Sequence, residues 1–190
     1  MDNLIEISRK WVRENYGGGV VHLLKAEEWL RRIDSAASEA MLLAALTHDM
    51  ERAFPGSDSP RQDAALGPDD PIYNNAHSER SARIVGAFLR AQGAPEALVT
   101  EIADLIRVHE FGGWPAADKV QAADSLSFLE VNVDPFLHRA GTPGNWTLAQ
   151  VRAKFDWMYE RIKLVEARAL AAPLYEIALH KLRQKEEGIG

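Results

Sequence analysis

Four histidines and two aspartates of this chain fall where apolar residues belong. His22 leads Ala26, Trp29 and Ile33 at the spacing of a buried helical stripe. His48 follows Met41, Ala44 and Ala45, and its neighbour Asp49 follows Leu42, Ala45 and Leu46. His77 leads Ser81, Ile84, Val85 and Phe88, and His109 trails Ile102, Leu105 and Ile106. Asp124 lies between Ala117 and Val120 on one side and Phe128 and Val131 on the other. The remaining two histidines serve as controls. His138 lies in a Pro/Gly stretch and His180 is off the Leu174/Ile177/Ala178 face, so neither belongs to the inward set.

Ionisable groups buried separately would be costly, because a lone buried carboxylate costs several kcal/mol or titrates to its neutral form. Gathered around cations, the same groups become ligands and coordination offsets the cost. The inward set is therefore expected to be a metal site: His22, His48, Asp49, His77, His109 and Asp124. Imidazoles with carboxylates suit Fe, Mn, Co, Ni or Zn rather than Mg or Ca, which prefer all-oxygen shells. Six protein ligands exceed the need of one open catalytic ion, and two divalent ions sharing Asp49 is the economical arrangement.

The elements that must position these residues read as helices throughout. Apolar periodicity and Gly/Pro punctuation predict helices over about 3–16, 20–33, 36–54, 76–92, 95–110, 115–134, 148–171 and 173–187. Asp34 or Ser35 is the expected cap of the third, which is apolar on most sides and therefore central. Residues 55–75 and 135–147, the latter with Pro143 and Gly144, read as loops, and the first is long enough for a lid or binding segment. The Gly17–Gly19 run fits no phosphate-loop motif and reads as a turn. The expected fold is all-α, a single bundle of about eight helices. Its core is at about 18–133, and helix 3–16 and helices 148–187 pack around it.

Composition bounds the partners. The 190 residues carry a net charge of −6, which argues against a nucleic-acid polymer as partner. The absence of cysteine excludes disulfides, thiolate metal sites and cysteine nucleophiles. No apolar run approaches a membrane span, and the start MDNLIEISRK lacks the apolar core of a signal peptide, so a cytoplasmic location is expected. Helix 148–171 is a candidate dimer surface, with core coverage as the alternative.

The order His22, His48-Asp49, His77, His109, Asp124 resembles the HD-domain superfamily of metal-dependent phosphohydrolases. The stretches AALTHDMER, AHSERSARIVGAFLRAQG, LIRVHEFGG and VQAADSLSFLE carry the likeness, which spans about residues 20–130. The resemblance implies that His22, His48, Asp49 and Asp124 hold one ion and that His77 and His109 hold a second, with Asp49 bridging. It implies a hydroxide activated between the two ions that cleaves a nucleotide or another small phosphoester. Two divalent ions less two ligand carboxylates leave the site near +2, which suits a small anionic substrate despite the acidic whole.

The sequence departs from the family pattern at Glu51, which stands where glycine is common, while Arg52 keeps the basic residue that follows. Glu51 is a candidate general acid, or a carboxylate that orients a ligand histidine. Arg52, Lys25, Arg61 and Arg80 are candidate phosphate contacts, and Tyr73 is a candidate to stack on a base or line the pocket mouth. Two other readings keep the fold. Some HD-domain proteins are mixed-valent di-iron oxygenases with the same ligand types, and degenerate members serve as sensors or interaction modules.

Overall fold

A computed structural model describes residues 3–63, 66–142 and 145–188. It is an all-α, HD-domain-like bundle with nine α-helices and no strand among the described residues. The helices are α1 (Leu4–Asn15), α2 (Val20–Ile33), α3 (Glu39–Thr47), α4 (Pro71–Ala91), α5 (Glu96–Arg107), α6 (Pro115–Val131), α7 (Val133–Arg139), α8 (Leu148–Glu160) and α9 (Val165–Glu186), with short 3-10 turns at Gly17–Gly19 and Met50–Ala53. Pro143 and Gly144 of the expected second loop lie outside the described residues.

α3 is the axis of the bundle. Every residue from Ala40 to Thr47 is buried, as expected of a helix that is apolar all round. It packs on α1, α2, α5 and α6, while α2 lies along α6 and α4 along α5. Leu23, Leu30, Leu43, Leu46 and Leu126 are fully buried in this core, each worth about 1.5–3 kcal/mol of transfer free energy. Two C-terminal helices, α8 and α9, cover α6.

Several boundaries differ from expectation, each for a local reason. Ser38, not Asp34 or Ser35, caps α3 by accepting from the Met41 amide, while Asp34 caps the preceding turn at Ala36. The helix expected to run to Phe54 stops at Thr47, whose hydroxyl donates to the Leu43 carbonyl. Asp49 then takes φ −99°, ψ 8°, and the chain tightens into the 3-10 turn. α4 begins at Pro71 rather than Ala76, because Asp70 caps it and proline suits the first turn. Pro135 falls in the first turn of α7, where its missing N–H costs nothing, so a short helix occupies part of the expected loop. The long C-terminal pair divides near Arg161 instead of at Pro173, which sits inside α9. Arg168 stabilises that break by donating to the freed carbonyls of Glu160 and Ile162, at 2.6 and 2.9 Å.

Candidate metal centre

The six inward residues come from α2, the end of α3, α4, the turn after α5, and α6, and all six are buried. His138 and His180 are exposed, as expected of the controls. The rings of His22 and His48 are 5.3 Å apart, those of His48 and His109 4.8 Å, and those of His77 and His109 5.4 Å. Three overlapping groups bring ligand atoms within 4.8 Å of one another: His22, His48 and Asp124; His48, Asp49 and His109; His77, His109 and Glu110.

Each imidazole is anchored through Nδ1. His48 Nδ1 donates to the Ala45 carbonyl at 2.9 Å, and His109 Nδ1 to the Ile106 carbonyl at 2.7 Å. Both acceptors are carbonyls three residues back, at helix ends where the ladder leaves them free. His77 Nδ1 donates to Glu51 Oε1 at 2.9 Å. Ser127 Oγ donates to the His22 carbonyl at 2.7 Å, so toward His22 Nδ1, 2.9 Å away, it accepts. A carbonyl cannot donate, so His48 and His109 carry a proton on Nδ1, and in all four rings Nε2 is the inward atom.

The inward atoms face carboxylates. His77 Nε2 is 2.8 Å from Asp49 Oδ1, and His22 Nε2 is 3.1 Å from Asp124 Oδ1. His48 Nε2 lies 3.3 Å from Asp124 Oδ1 without hydrogen-bond geometry, and His109 Nε2 lies 3.7 Å from Glu110 Oε1. The Nε2 atoms of His48 and His109 are thus buried polar atoms with no hydrogen bond. Such atoms are rare because burial without a partner is costly, and a cation held among the carboxylates would satisfy both. The donor set therefore fits transition-metal ions.

Electrostatics separate the histidines. Burial lowers the pKa of His48, but the Asp124 carboxylate more than reverses this and holds it at about 9. Burial pushes His109 down to about 4, leaving it neutral at pH 7. Burial opposes ionisation of Asp49 and Asp124, yet Arg52 beside Asp49 and Arg161 beside Asp124 hold both well below the usual carboxylate range.

Several residues at the centre went unnoticed in the sequence. Arg161, in the turn between α8 and α9, ion-pairs with both Asp124 and Glu110 and donates to Ser125 Oγ at 2.8 Å. Glu110 follows His109 as Asp49 follows His48, the one sequence signal that pointed to it. The Tyr16 hydroxyl reaches within 3.4 Å of Asp49 Oδ2. The ammonium of Lys154 lies 4.3 Å over the Trp157 ring and lines the cavity above the cluster.

The other expected site residues divide. Glu51 is buried against His77 and against Arg80, 3.1 Å from its Oε2. Arg52 reaches within 3.4 Å of Asp49 and lines the cavity over Asp49 and Asp124. Tyr73 lies parallel to the His77 ring at 6.0 Å and lines the adjoining outer cavity. Arg80 is not brought to the cavity. Its guanidinium is taken up by Glu51, the Phe54 carbonyl and Asp58, so it braces the turn after Asp49. Lys25 is drawn to Glu28 at 2.7 Å and Glu130 at 3.5 Å and lines neither cavity. Arg61 is exposed in the long loop and also lines neither.

No family model, curated protein or solved structure matches this chain. No helix among the described residues is long and apolar enough to cross a membrane.

Proposed function

We propose that the chain is an HD-domain metal-dependent phosphohydrolase that cleaves a small phosphoester at a dinuclear centre. The observation that carries this reading is the pair of buried Nε2 atoms of His48 and His109 that make no hydrogen bond, set between Asp49, Asp124 and Glu110. His22, His48, Asp49 and Asp124 would hold one ion, and His77 and His109 the other, with Asp49 between them. The ions would supply a nucleophile from water at neutral pH and neutralise charge on the phosphoryl oxygens.

The chain's own residues have separate tasks. The carbonyls of Ala45 and Ile106, Ser127 and Glu51 fix the four imidazoles before any ion binds. In this reading Glu51 orients His77, and Arg80 fixes Glu51 in turn. Arg52 and Lys154 face the cavity as cations and would hold the phosphoryl group in position.

Elemental analysis of chelator-free, untagged protein tests this reading, together with a phosphoester panel. About two ions per chain of Mn, Co, Ni, Zn or Fe and release of phosphate are expected, with both lost in Asp49→Ala. Mixed-valent iron with oxygen uptake and no phosphate release would identify oxygenase chemistry instead. Protein that takes up no metal on reconstitution would be an interaction module, not an enzyme.

A further inference from the structure

A second cavity, of about 210 Å3, adjoins the one over the metal centre. The two share Arg52, Glu110, Phe136 and Lys154, so the outer space continues from the inner one. Its remaining wall comes from Gln62 of the long loop, the start of α4, the end of α7, Asn145 and Trp146 ahead of α8, and α8 itself, and Tyr73, Trp146 and the shared Phe136 are the aromatic surfaces.

The charge on this lining is unbalanced. Arg52, Arg139 and Lys154 face one carboxylate, Glu110, which Arg161 already pairs. Lys154 makes no hydrogen bond among the described residues, and Arg52 only approaches Asp49. Arg139 uses Nε alone, donating to the Pro135 carbonyl at 3.2 Å, with its guanidinium 5.4 Å over the Phe136 ring. Its two terminal nitrogens have no carboxylate partner among the described residues.

Arg52 and Lys154 border both cavities, where the reacting phosphoryl group would sit. Arg139 borders only the outer one. A phosphate ester of a neutral alcohol would leave the exposed Arg139 to water, whereas its planar fork of donors at the cavity wall matches a second anion. We propose that the outer cavity binds a second anionic group of the substrate, a carboxylate or a second phosphate on a short carbon scaffold, with Arg139 as its recognising residue. The aromatic walls would pack the scaffold between the two charges. This inference rests on the phosphohydrolase reading and narrows its substrate class.

Calorimetric titration of the metal-replete full chain tests it, with methyl phosphate, phosphoglycolate and adenosine 5′-monophosphate as probes. Phosphoglycolate is expected to bind at least about tenfold tighter than methyl phosphate, the scale of one charge-assisted hydrogen bond. That ratio should fall to roughly one in Arg139→Ala and survive in part in Arg139→Lys, since one charge remains but the fork is lost. Equal binding of the two small probes, or a ratio unchanged in Arg139→Ala, overturns the subsite even if methyl phosphate is hydrolysed. Tighter binding of the nucleotide than of phosphoglycolate assigns the outer cavity to a base and overturns it as well. Binding of no probe removes the phosphohydrolase reading and the subsite with it.

Discussion

Arg161 shows how one residue sets the terms for its neighbours. It faces the carboxylates of Asp124 and Glu110 from a buried position, while its backbone carbonyl accepts from Gln121 Nε2 at 2.8 Å. Removing one partner of a buried ion pair costs about 3–5 kcal/mol, because the other charge stays buried and uncompensated. Arg161→Met should therefore lower the melting temperature of chelator-treated protein by roughly 6–20 °C. A loss under about 2 °C in thermal denaturation would show that Asp124 and Glu110 do not depend on it. The burial and clustering of the six inward residues were legible because each breaks an apolar stripe. Arg161 was not, since the sequence pattern reads as one helix over 148–171 and does not reveal the turn in which it lies. Lys25 and Arg80 looked like phosphate contacts because the sequence does not reveal that Glu130 and Asp58 fold back to meet them.

At the level of elements, the two acidic doublets share one construction. His48-Asp49 follows the last turn of α3, and His109-Glu110 follows the last turn of α5. Within a helix, consecutive side chains diverge by about 100°, so neighbours on a regular helix would not both reach one centre. Ending the helix just before each pair removes that restriction. This is why the expected helices 36–54 and 95–110 are shorter than their apolar patterns suggest. Gly112 belongs to the second turn, with φ +66° and the Asp118 carboxylate occupying the space a side chain would need. On the other side of the centre, Gly19 lets the Tyr16 ring lie over the 3-10 turn, where an added Cβ would come within 2.3 Å of the ring. Gly19→Ala should cost about 1–3 kcal/mol by overpacking and almost nothing in a Tyr16→Ala background. Urea denaturation of the four proteins measures this, and an equal cost in both backgrounds would mean that the ring is not the obstacle.

The whole molecule converges on this cluster, since the six residues that could hold ions arise from five separate elements spread over residues 22 to 124. Ions that bind only the folded chain stabilise all of them together. At a free concentration a hundred times the dissociation constant, each ion contributes about 2.7 kcal/mol, or roughly 5–11 °C for a chain of this size. Melting with and without chelator should show that difference, and it should vanish in His48→Ala and His109→Ala. Identical curves for the parent protein would mean that ions do not link these elements. The all-α architecture and the central position of α3 were legible from periodicity and composition, because those report burial. The break between α8 and α9 was not, since it is held by the Arg168 side chain reaching back across the gap. The two cavities draw unequally on the two halves of the chain. The six inward residues all precede residue 125, whereas Arg139, Asn145, Trp146 and Lys154 of the outer cavity all follow residue 132. Of these four, Arg139, Asn145 and Trp146 line the outer of the two cavities and not the inner, so substitutions there would be expected to change which molecule is accepted while sparing the centre, whereas a chimera joined near Asn132 would also exchange Lys154 of both cavities and Arg161 beside Asp124.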